Sequence, residues 1–297
     1  MKLTKLAIAV AAVTVSMSAQ AEVEISGDLN IGYYHNYEKG KGAKDINENY
    51  SELNFDAEEE HNGITYMAHF EVDFQGIYDP FKIEEVRVGA KGDFGEIWIG
   101  DVQDACEKLQ KGGDYGTFLH VDSRGCEAHN QGTILYWKKF KYKQGKKKRE
   151  IRAGISYNRD KNIQTVGLRY KHKKGMEFAI GYQDIDTENN ADNDNGIYAN
   201  ASATVAFGPL EFKTRIEEIK GKGPAMWNLK GKYTFGNNAI YAAYEQDRTG
   251  DDVMTAGYRR EFGENVAFII EARDDPQNGF DADETKKEYA AGLSIKF

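Results

Sequence analysis

An alternation of apolar and polar residues with a period of two runs through this chain from residue 22 to the C-terminus. Successive side chains of a β-strand point to opposite faces, so each alternating segment predicts a strand with one apolar and one polar face. The first segment has Val23, Ile25 and Leu29 on its apolar face, and the last has Leu293 and Phe297. Gly, Asn and Asp residues separate the segments, as in turns. The pattern predicts an all-β chain of about sixteen strands.

The connections between these segments alternate between short and long. Tight turns such as residues 61–63 interleave with longer polar connections, which lie at residues 38–49, 102–131, 184–195 and 274–286. Short turns at one end and long loops at the other are typical of transmembrane antiparallel β-barrels, whose closure also removes exposed strand edges. The 18 Tyr and 15 Phe residues fit a barrel whose apolar face meets lipid. The alternative is a soluble sandwich, which would bury the same faces in one core.

The first 21 residues have the features of a secretory signal peptide. Lys2 and Lys5 precede an apolar run from Leu6 to Val15, and Ala19-Gln20-Ala21 supplies small residues at the cleavage site. The run is shorter than the roughly 20 residues of a membrane-spanning helix, and polar sequence follows it. We therefore expect removal of residues 1–21 and a mature barrel domain over residues 22–297. The alternative is an uncleaved helical anchor.

The charge of the chain bears on its partners. The precursor has a net charge of −9, and loss of the two lysines of the leader gives the mature chain −11. Negative charge disfavours nucleic acid as a partner, because the phosphate backbone is itself an anion. The basic run QGKKKR at residues 144–149 is the local exception. We interpret this run as a solvated turn between two strands.

The two cysteines, Cys106 and Cys126, lie in the connection at residues 102–131. An exported chain meets an oxidising compartment, so we expect them to form a disulfide with each other; two free thiols are the alternative. Acidic residues crowd the connection at residues 184–195. However, Asn195 stands where an EF-hand loop starting at Asn190 requires glycine. The sequence therefore predicts no metal site and no cofactor.

A barrel hydrolase is the main alternative among enzymes, since some outer-membrane barrels carry a serine–histidine pair. The chain has six histidines but no G-x-S-x-G segment. We interpret His69, which has the parity of the polar strand face, as a residue that lines the pore rather than a catalytic group. The sequence predicts no catalytic residues and no enzymatic activity.

Residues 86–101, VRVGAKGDFGEIWIGD, resemble a strand–turn–strand segment of the general, non-specific porins of Gram-negative bacteria. The terminal Phe297 is similar to the end of that family's closing strand, where it serves as an assembly signal. The resemblance implies a water-filled channel in the bacterial outer membrane, through which ions and small hydrophilic solutes diffuse passively. It also implies a homotrimer, contact with outer-membrane lipid and lipopolysaccharide, and a third long loop, residues 102–131, that folds inward.

Charged residues in this loop and on the polar strand faces are the candidates for the pore constriction. They are Asp101, Asp104, Glu107, Asp114 and Arg124 in and beside the loop, and Arg87, Arg152 and Arg169 on the strands. The family usually has Arg at the position of Asp101, and this departure weakens the transfer of the family's basic wall opposite an acidic loop to this chain. The mature charge and the acids Asp101, Asp104 and Asp114 predict a weak preference for cations. A sugar-specific channel is the alternative, favoured by aromatic residues such as Tyr34 and Trp137 at the pore.

Overall fold

A computed structural model of the chain describes residues 22–38, 41–47, 51–74, 82–109, 130–144, 147–159, 162–172, 175–185, 196–219, 225–246, 252–275 and 286–297. This part of the chain consists almost entirely of β-strands, as the period-two pattern predicts. The leader at residues 1–21 lies outside it, so the signal peptide stays a prediction. No helix among the described residues is long and apolar enough to cross a membrane.

The strands are β1 (Glu22–Glu38), β2 (Lys41–Asn47), β3 (Ser51–His61), β4 (Ile64–Phe74), β5 (Lys82–Gly92), β6 (Gly95–Val102), β7 (Asn130–Gln144), β8 (Lys147–Asn158), β9 (Ile163–His172), β10 (Met176–Ile185), β11 (Gly196–Phe207), β12 (Leu210–Ile219), β13 (Met226–Phe235), β14 (Asn238–Gln246), β15 (Asp252–Glu261), β16 (Val266–Asp275) and β17 (Lys286–Lys296). Helix α1 spans Ala105–Leu109, between β6 and β7.

The strands form one closed antiparallel barrel. From β3 to β17 each strand pairs with the next one along the chain. Strand β1 closes the cylinder because it pairs with β17 on one side and with β3 on the other. Closure satisfies the backbone hydrogen bonds of both edge strands.

Strands β2 and β3 share one place in the barrel. Residues 32–38 of β1 pair with β2, and residues 22–28 of β1 pair with β3 on the same side. The seventeen strands of the described residues therefore occupy sixteen places in the barrel, which confirms the predicted number. The sequence predicted a plain connection at residues 38–49, where the structure has β2. The long β1 extends past the end of β3, and β2 pairs with the backbone groups that this extension would otherwise leave open.

The two faces of each strand differ in polarity. In β9, Val166 and Leu168 point outward and are exposed, whereas Thr165 and Arg169 point inward and are buried. Residues paired across the ladder lie on the same face, so Arg152 of β8, which pairs with Arg169, also points inward. An apolar outer face and a polar inner face suit a cylinder with lipid outside and water inside.

The chain turns into the barrel after β6. The Ala105 amide donates hydrogen bonds to Ser156 Oγ and Thr165 Oγ1, both at 3.0 Å, and both hydroxyls belong to the inner face. Helix α1 also contacts β8, β9 and β10, none of which neighbours β6 in the sheet. The first part of the predicted inward loop thus lies in the lumen. Residues 110–129 lie outside the described part, so the path of the remaining loop stays a prediction.

Candidate functional site

Five carboxylates form an acidic patch on the inner face of β3–β5. They are Glu52, Asp56, Glu71, Asp73 and Glu85. The patch forms because the ladder pairs Asp56 with His69, and pairs Glu71 with both Asn54 and Glu85. His69 Nδ1 lies 2.7 Å from Asp56 Oδ1, and its Nε2 lies 3.4 Å from Glu85 Oε2. The imidazole therefore joins carboxylates from all three strands.

Part of the acidic patch has the spacing of a metal site. His69, Glu71 and Glu85 offer ligand atoms within 4.8 Å of one another. Arg87, on the same face, forms an ion pair with Glu85, and Asp56 binds the imidazole. The structure thus accounts for these groups through internal ion pairs. The absence of a metal site stays a prediction from the sequence.

Two tryptophans line the wall between β6 and β7. Trp98 packs with Met67, Val102, Ala105 and Leu135 in an apolar cluster inside the barrel, and Trp137 packs against this cluster. The Arg87 guanidinium lies over the Trp98 ring, 5.0 Å from its centroid. Attraction between a cation and the face of an aromatic ring favours this arrangement. The apolar cluster connects the barrel wall with the inward-turning segment through Ala105.

Five cations form a basic patch on the inner face of β7–β9. They are Lys139, Lys141, Arg152, Arg169 and Lys171. Lys139, Arg152 and Arg169 pair in register across the three strands, which places three positive side chains side by side. The Arg152 guanidinium and the Lys139 ammonium also lie over the Trp137 ring, at 5.3 and 5.8 Å from its centroid.

Two glutamates partly compensate the basic patch. Glu150 Oε1 accepts a hydrogen bond from Arg152 Nε at 2.6 Å. Glu177 accepts from Arg169 Nη2 at 2.5 Å and lies 2.9 Å from Lys171 Nζ. Hydrogen bonds between two ionised groups are stronger than those between neutral groups, and they hold these side chains in place. Two carboxylates against five cations leave the patch with an excess of positive charge.

A third set of charges, on β12–β14, is more evenly matched. The ammonium of Lys230, which is almost fully buried, lies 2.7 Å from Glu245 Oε1. Arg215 forms an ion pair with Glu217 on the same strand. Because each cation here has a carboxylate in contact, this wall adds little net charge to the lumen.

Cys106 anchors α1 to the inner wall at β10 and β11. Its Sγ accepts a hydrogen bond from Asn200 Nδ2 at 2.9 Å, and it fits against Gly181, where any Cβ would collide with the sulfur. The cysteine is fully buried and is not a free thiol. Cys126 lies outside the described residues, so its pairing with Cys106 stays a prediction.

The family model of the Gram-negative porins matches residues 7–292, nearly the whole chain. The chain belongs to the Gram-negative porin family. The family and the barrel together make it an outer-membrane porin, a channel through that membrane. This confirms the family, the fold class and the location that the sequence predicted.

Solved structures have the same fold as this porin. An anion-selective porin from Comamonas acidovorans superposes with a TM-score of 0.73 at 13% identity, over 94% of this chain and 100% of the other. OmpT of Vibrio cholerae, described as a trimer form, gives 0.66 at 14% identity, over 93% and 99%. A porin mutant from Rh. blastica gives 0.66 at 14% identity, over 93% and 100%. No curated protein is similar enough to be matched.

The predicted constriction residues on the strands of this porin all face the lumen, but in different places. Arg87 lies beside the acidic patch. Arg152 and Arg169 belong to the basic patch, and Arg152 lies four residues along β8 from Ser156, which binds α1. This offset places them closer than α1 to the short turns, which lie on the periplasmic side in such barrels.

The predicted constriction residues of the loop are only partly described. Asp104 is buried directly before α1, and Asp101 lies at the end of β6, where the register with β7 shifts. The side chain of Glu107, and Asp114 and Arg124 entirely, lie outside the described part. Their role at the constriction therefore stays a prediction.

Sequence reasoning missed most of the acidic patch. None of its five carboxylates was among the predicted constriction residues. Parity does place Glu71 and Asp73 inside, since they alternate with Phe70 and Val72. Parity also places Glu85 inside together with Arg87, but its pairing with Glu71 depends on the register of β4 and β5, which shifts directly after this pair.

Proposed function

We propose that this porin is a passive diffusion channel without enzymatic activity, open to ions and small hydrophilic solutes, with a weak preference for cations. The observation that carries the proposal is the unequal charge of the two lumen patches. Five carboxylates of the acidic patch face two cations, Arg87 and Lys82, and Lys82 also forms an ion pair with Glu84. The five cations of the basic patch contact only two carboxylates among the described residues, Glu150 and Glu177. The precursor has a net charge of −9, and the expected mature chain, without the two lysines of the leader, has −11. This negative charge adds to the field of the acidic patch.

The separation of the patches supports diffusion without tight binding. The carboxylates of the acidic patch replace part of the hydration that a passing cation loses, and the basic patch does the same for an anion. Neither kind of ion therefore passes only residues of like charge. The similar porin from Comamonas acidovorans is named anion-selective. The charge balance on the described strands of this chain supports the opposite preference.

A salt gradient across a planar lipid bilayer tests the selectivity. Purified mature protein is inserted and the reversal potential is measured in potassium chloride. We expect a reversal potential whose sign shows that potassium permeates faster than chloride. A chloride-selective potential would overturn the cation preference, and absence of conductance from folded barrels would overturn the channel itself. An esterase assay on the same folded protein tests the enzyme alternative and is expected to show no activity.

We infer that three copies of the chain assemble in the outer membrane and contact its lipid and lipopolysaccharide. The outward apolar side chains support lipid contact. The description of a similar Vibrio cholerae structure as a trimer form supports the trimer. Closure of single inserted channels in three equal steps, and a trimer mass after chemical cross-linking in detergent, are the expected results. A single closing step with a monomer mass would contradict the trimer.

The sugar-specific alternative depends on aromatic faces open to the pore. Trp137 does face the lumen, but Arg152 and Lys139 lie over its ring, and it packs against the apolar cluster. A sugar stacks best on a bare aromatic face, so this wall favours ions over sugars. Current block by a malto-oligosaccharide at micromolar concentration would support the alternative, and its absence is expected.

A further inference from the structure

The hairpin of β7 and β8 extends beyond its neighbour on one side. In the part of the chain that the structure describes, the pairing of β6 with β7 stops at Trp137, although β7 runs on to Gln144. Residues 138–144 continue to pair with β8. At about 3.3 Å per residue, these seven residues extend the hairpin by roughly 20 Å along the strand. On the other side, the pairing of β8 with β9 stops at Arg149, two residues after β8 begins.

This extension carries the densest positive charge of the chain. Residues 138–149 read KKFKYKQGKKKR, with eight basic residues and no acidic one. Only two residues separate β7 from β8 in the sequence. Connections this short lie on the periplasmic side of outer-membrane barrels, so the described cations of the extension, Lys138, Lys139, Lys141 and Arg149, lie at the periplasmic rim.

The two faces of the extension differ in composition. On the outer face, Lys138, Phe140 and Tyr142 alternate along β7, and Arg149 of β8 pairs with Tyr142. Phe140 and Tyr142 are 49% and 40% exposed, and the Lys138 ammonium lies 6.0 Å from the Phe140 ring centroid. The inner face has Lys139 and Lys141, both exposed, at the positions between these residues. Aromatic residues thus occupy only the face that meets lipid.

We propose that the outer face of this hairpin binds anionic phospholipid headgroups in the periplasmic leaflet of the outer membrane. Aromatic side chains settle at the headgroup level, where an apolar ring and a polar edge are both accommodated. Lys138 and Arg149 stand beside these rings and offer ammonium and guanidinium donors to phosphodiester oxygens. The two rings of β7 thus place these cations at the level of the headgroups rather than in the aqueous periplasm. This binding is independent of the conductance of the pore.

Lipid titration followed by native mass spectrometry tests the proposal on the whole folded porin in detergent. Phosphatidylglycerol and phosphatidylcholine with identical acyl chains are the probes. The unmodified porin is expected to bind phosphatidylglycerol at lower concentration, with a difference that shrinks as salt rises. The variant Lys138→Gln/Arg149→Gln is expected to raise the half-saturating concentration of phosphatidylglycerol about tenfold, with little effect on phosphatidylcholine.

The matched control removes two charges from the other face of the same hairpin. The variant Lys139→Gln/Lys141→Gln is expected to leave phosphatidylglycerol binding within about twofold of the unmodified porin. Equal losses in both variants would overturn the proposal in favour of a general charge effect. No preference of the unmodified porin for the anionic lipid would also overturn it, whatever the variants do. Normal single-channel conductance of the outer-face variant verifies that its barrel is folded.

A polymer with carboxylates, such as peptidoglycan, is the other anionic surface at this rim. Sedimentation of the detergent-solubilised porin with purified peptidoglycan distinguishes it from lipid. Binding that depends on Lys139 and Lys141, together with no lipid preference, would replace the lipid by the polymer. Absence of sedimentation, with the lipid preference intact, is expected.

Discussion

Gly27 and Phe297 close the barrel by exchanging two backbone hydrogen bonds. The Gly27 amide donates to the Phe297 carbonyl at 3.0 Å, and the Phe297 amide donates to the Gly27 carbonyl at 3.1 Å. The Phe297 ring also lies against Gly27, because a Cβ there would come within 2.9 Å of Phe297 Cζ and 2.6 Å of the Glu52 carbonyl oxygen. The aromatic end of the chain therefore packs where the first and last strands meet, and the assembly role of Phe297 stays a prediction.

The variant Gly27→Ala is expected to lower the free energy of unfolding by about 1–3 kcal/mol, because the added methyl group has no space between the ring and the Glu52 carbonyl. Urea unfolding in lipid vesicles, followed by tryptophan fluorescence, measures the loss. Gly231→Ala is the control, since its Cβ would meet only Phe212, at an ordinary 3.6 Å. A loss as large in Gly231→Ala would mean that glycine content, rather than closure, sets the cost.

A second glycine makes room for an aromatic ring inside the wall. Tyr241 of β14 reaches across Gly257 of β15, and its hydroxyl donates to Glu271 Oε1 of β16 at 2.5 Å. Any Cβ on Gly257 would collide with the Tyr241 ring. The tyrosine and the glycine thus belong to one packing unit that joins three strands.

We expect Gly257→Ala to lower the free energy of unfolding by about 1–3 kcal/mol, and to do so much less when Tyr241 is alanine. A double-mutant cycle with Gly257→Ala, Tyr241→Ala and the combined variant measures the coupling by the same unfolding assay. Coupling near zero would show that the collision is relieved elsewhere.

The sequence predicted the barrel well because one physical rule, lipid outside and water inside, acts on every strand. Val166 and Leu168 follow this rule outward, and Arg152 and Arg169 follow it inward, so parity alone placed them. Trp98 and Leu135 break the rule, since both are apolar and face the lumen. They pack with Ala105, and that contact depends on the path of the chain after β6, which no local periodicity encodes.

The charged patches show the same limit. Parity predicts that Asp56 and Arg87 point inward, but only the strand register places His69 between them. The register between β4 and β5 shifts between Glu71 and Val72, and no pattern in the neighbouring residues predicts this shift. Long-range pairing therefore had to be observed before the acidic patch could be recognised.

The acidic patch is expected to contribute to cation preference. Glu52, Glu71 and Asp73 bring carboxylate oxygens within 4.8 Å of one another, so Asp73→Asn relieves repulsion and should leave the fold intact. The variant is expected to lower the ratio of potassium to chloride permeability about twofold, measured from the reversal potential. Glu218→Gln, on the outer face of β12, removes the same charge away from the lumen and should leave the ratio unchanged. A similar shift in both variants would show that overall charge, not the patch, sets selectivity.

The link between α1 and the wall is expected to hold the inward segment in place. Cys106 lies against Gly181 and Asn200, and the predicted disulfide to Cys126 would restrain both ends of the same loop. A reductant is therefore expected to increase current noise and mean conductance in single channels, because the loop becomes more mobile while the β-barrel itself stays folded. The Cys106→Ser/Cys126→Ser variant should show the noisier behaviour from the start and should not respond to the reductant. Thiol labelling after the recording checks that the bond has opened, and an unchanged current through labelled channels would mean that Ser156 and Thr165 suffice to hold the segment.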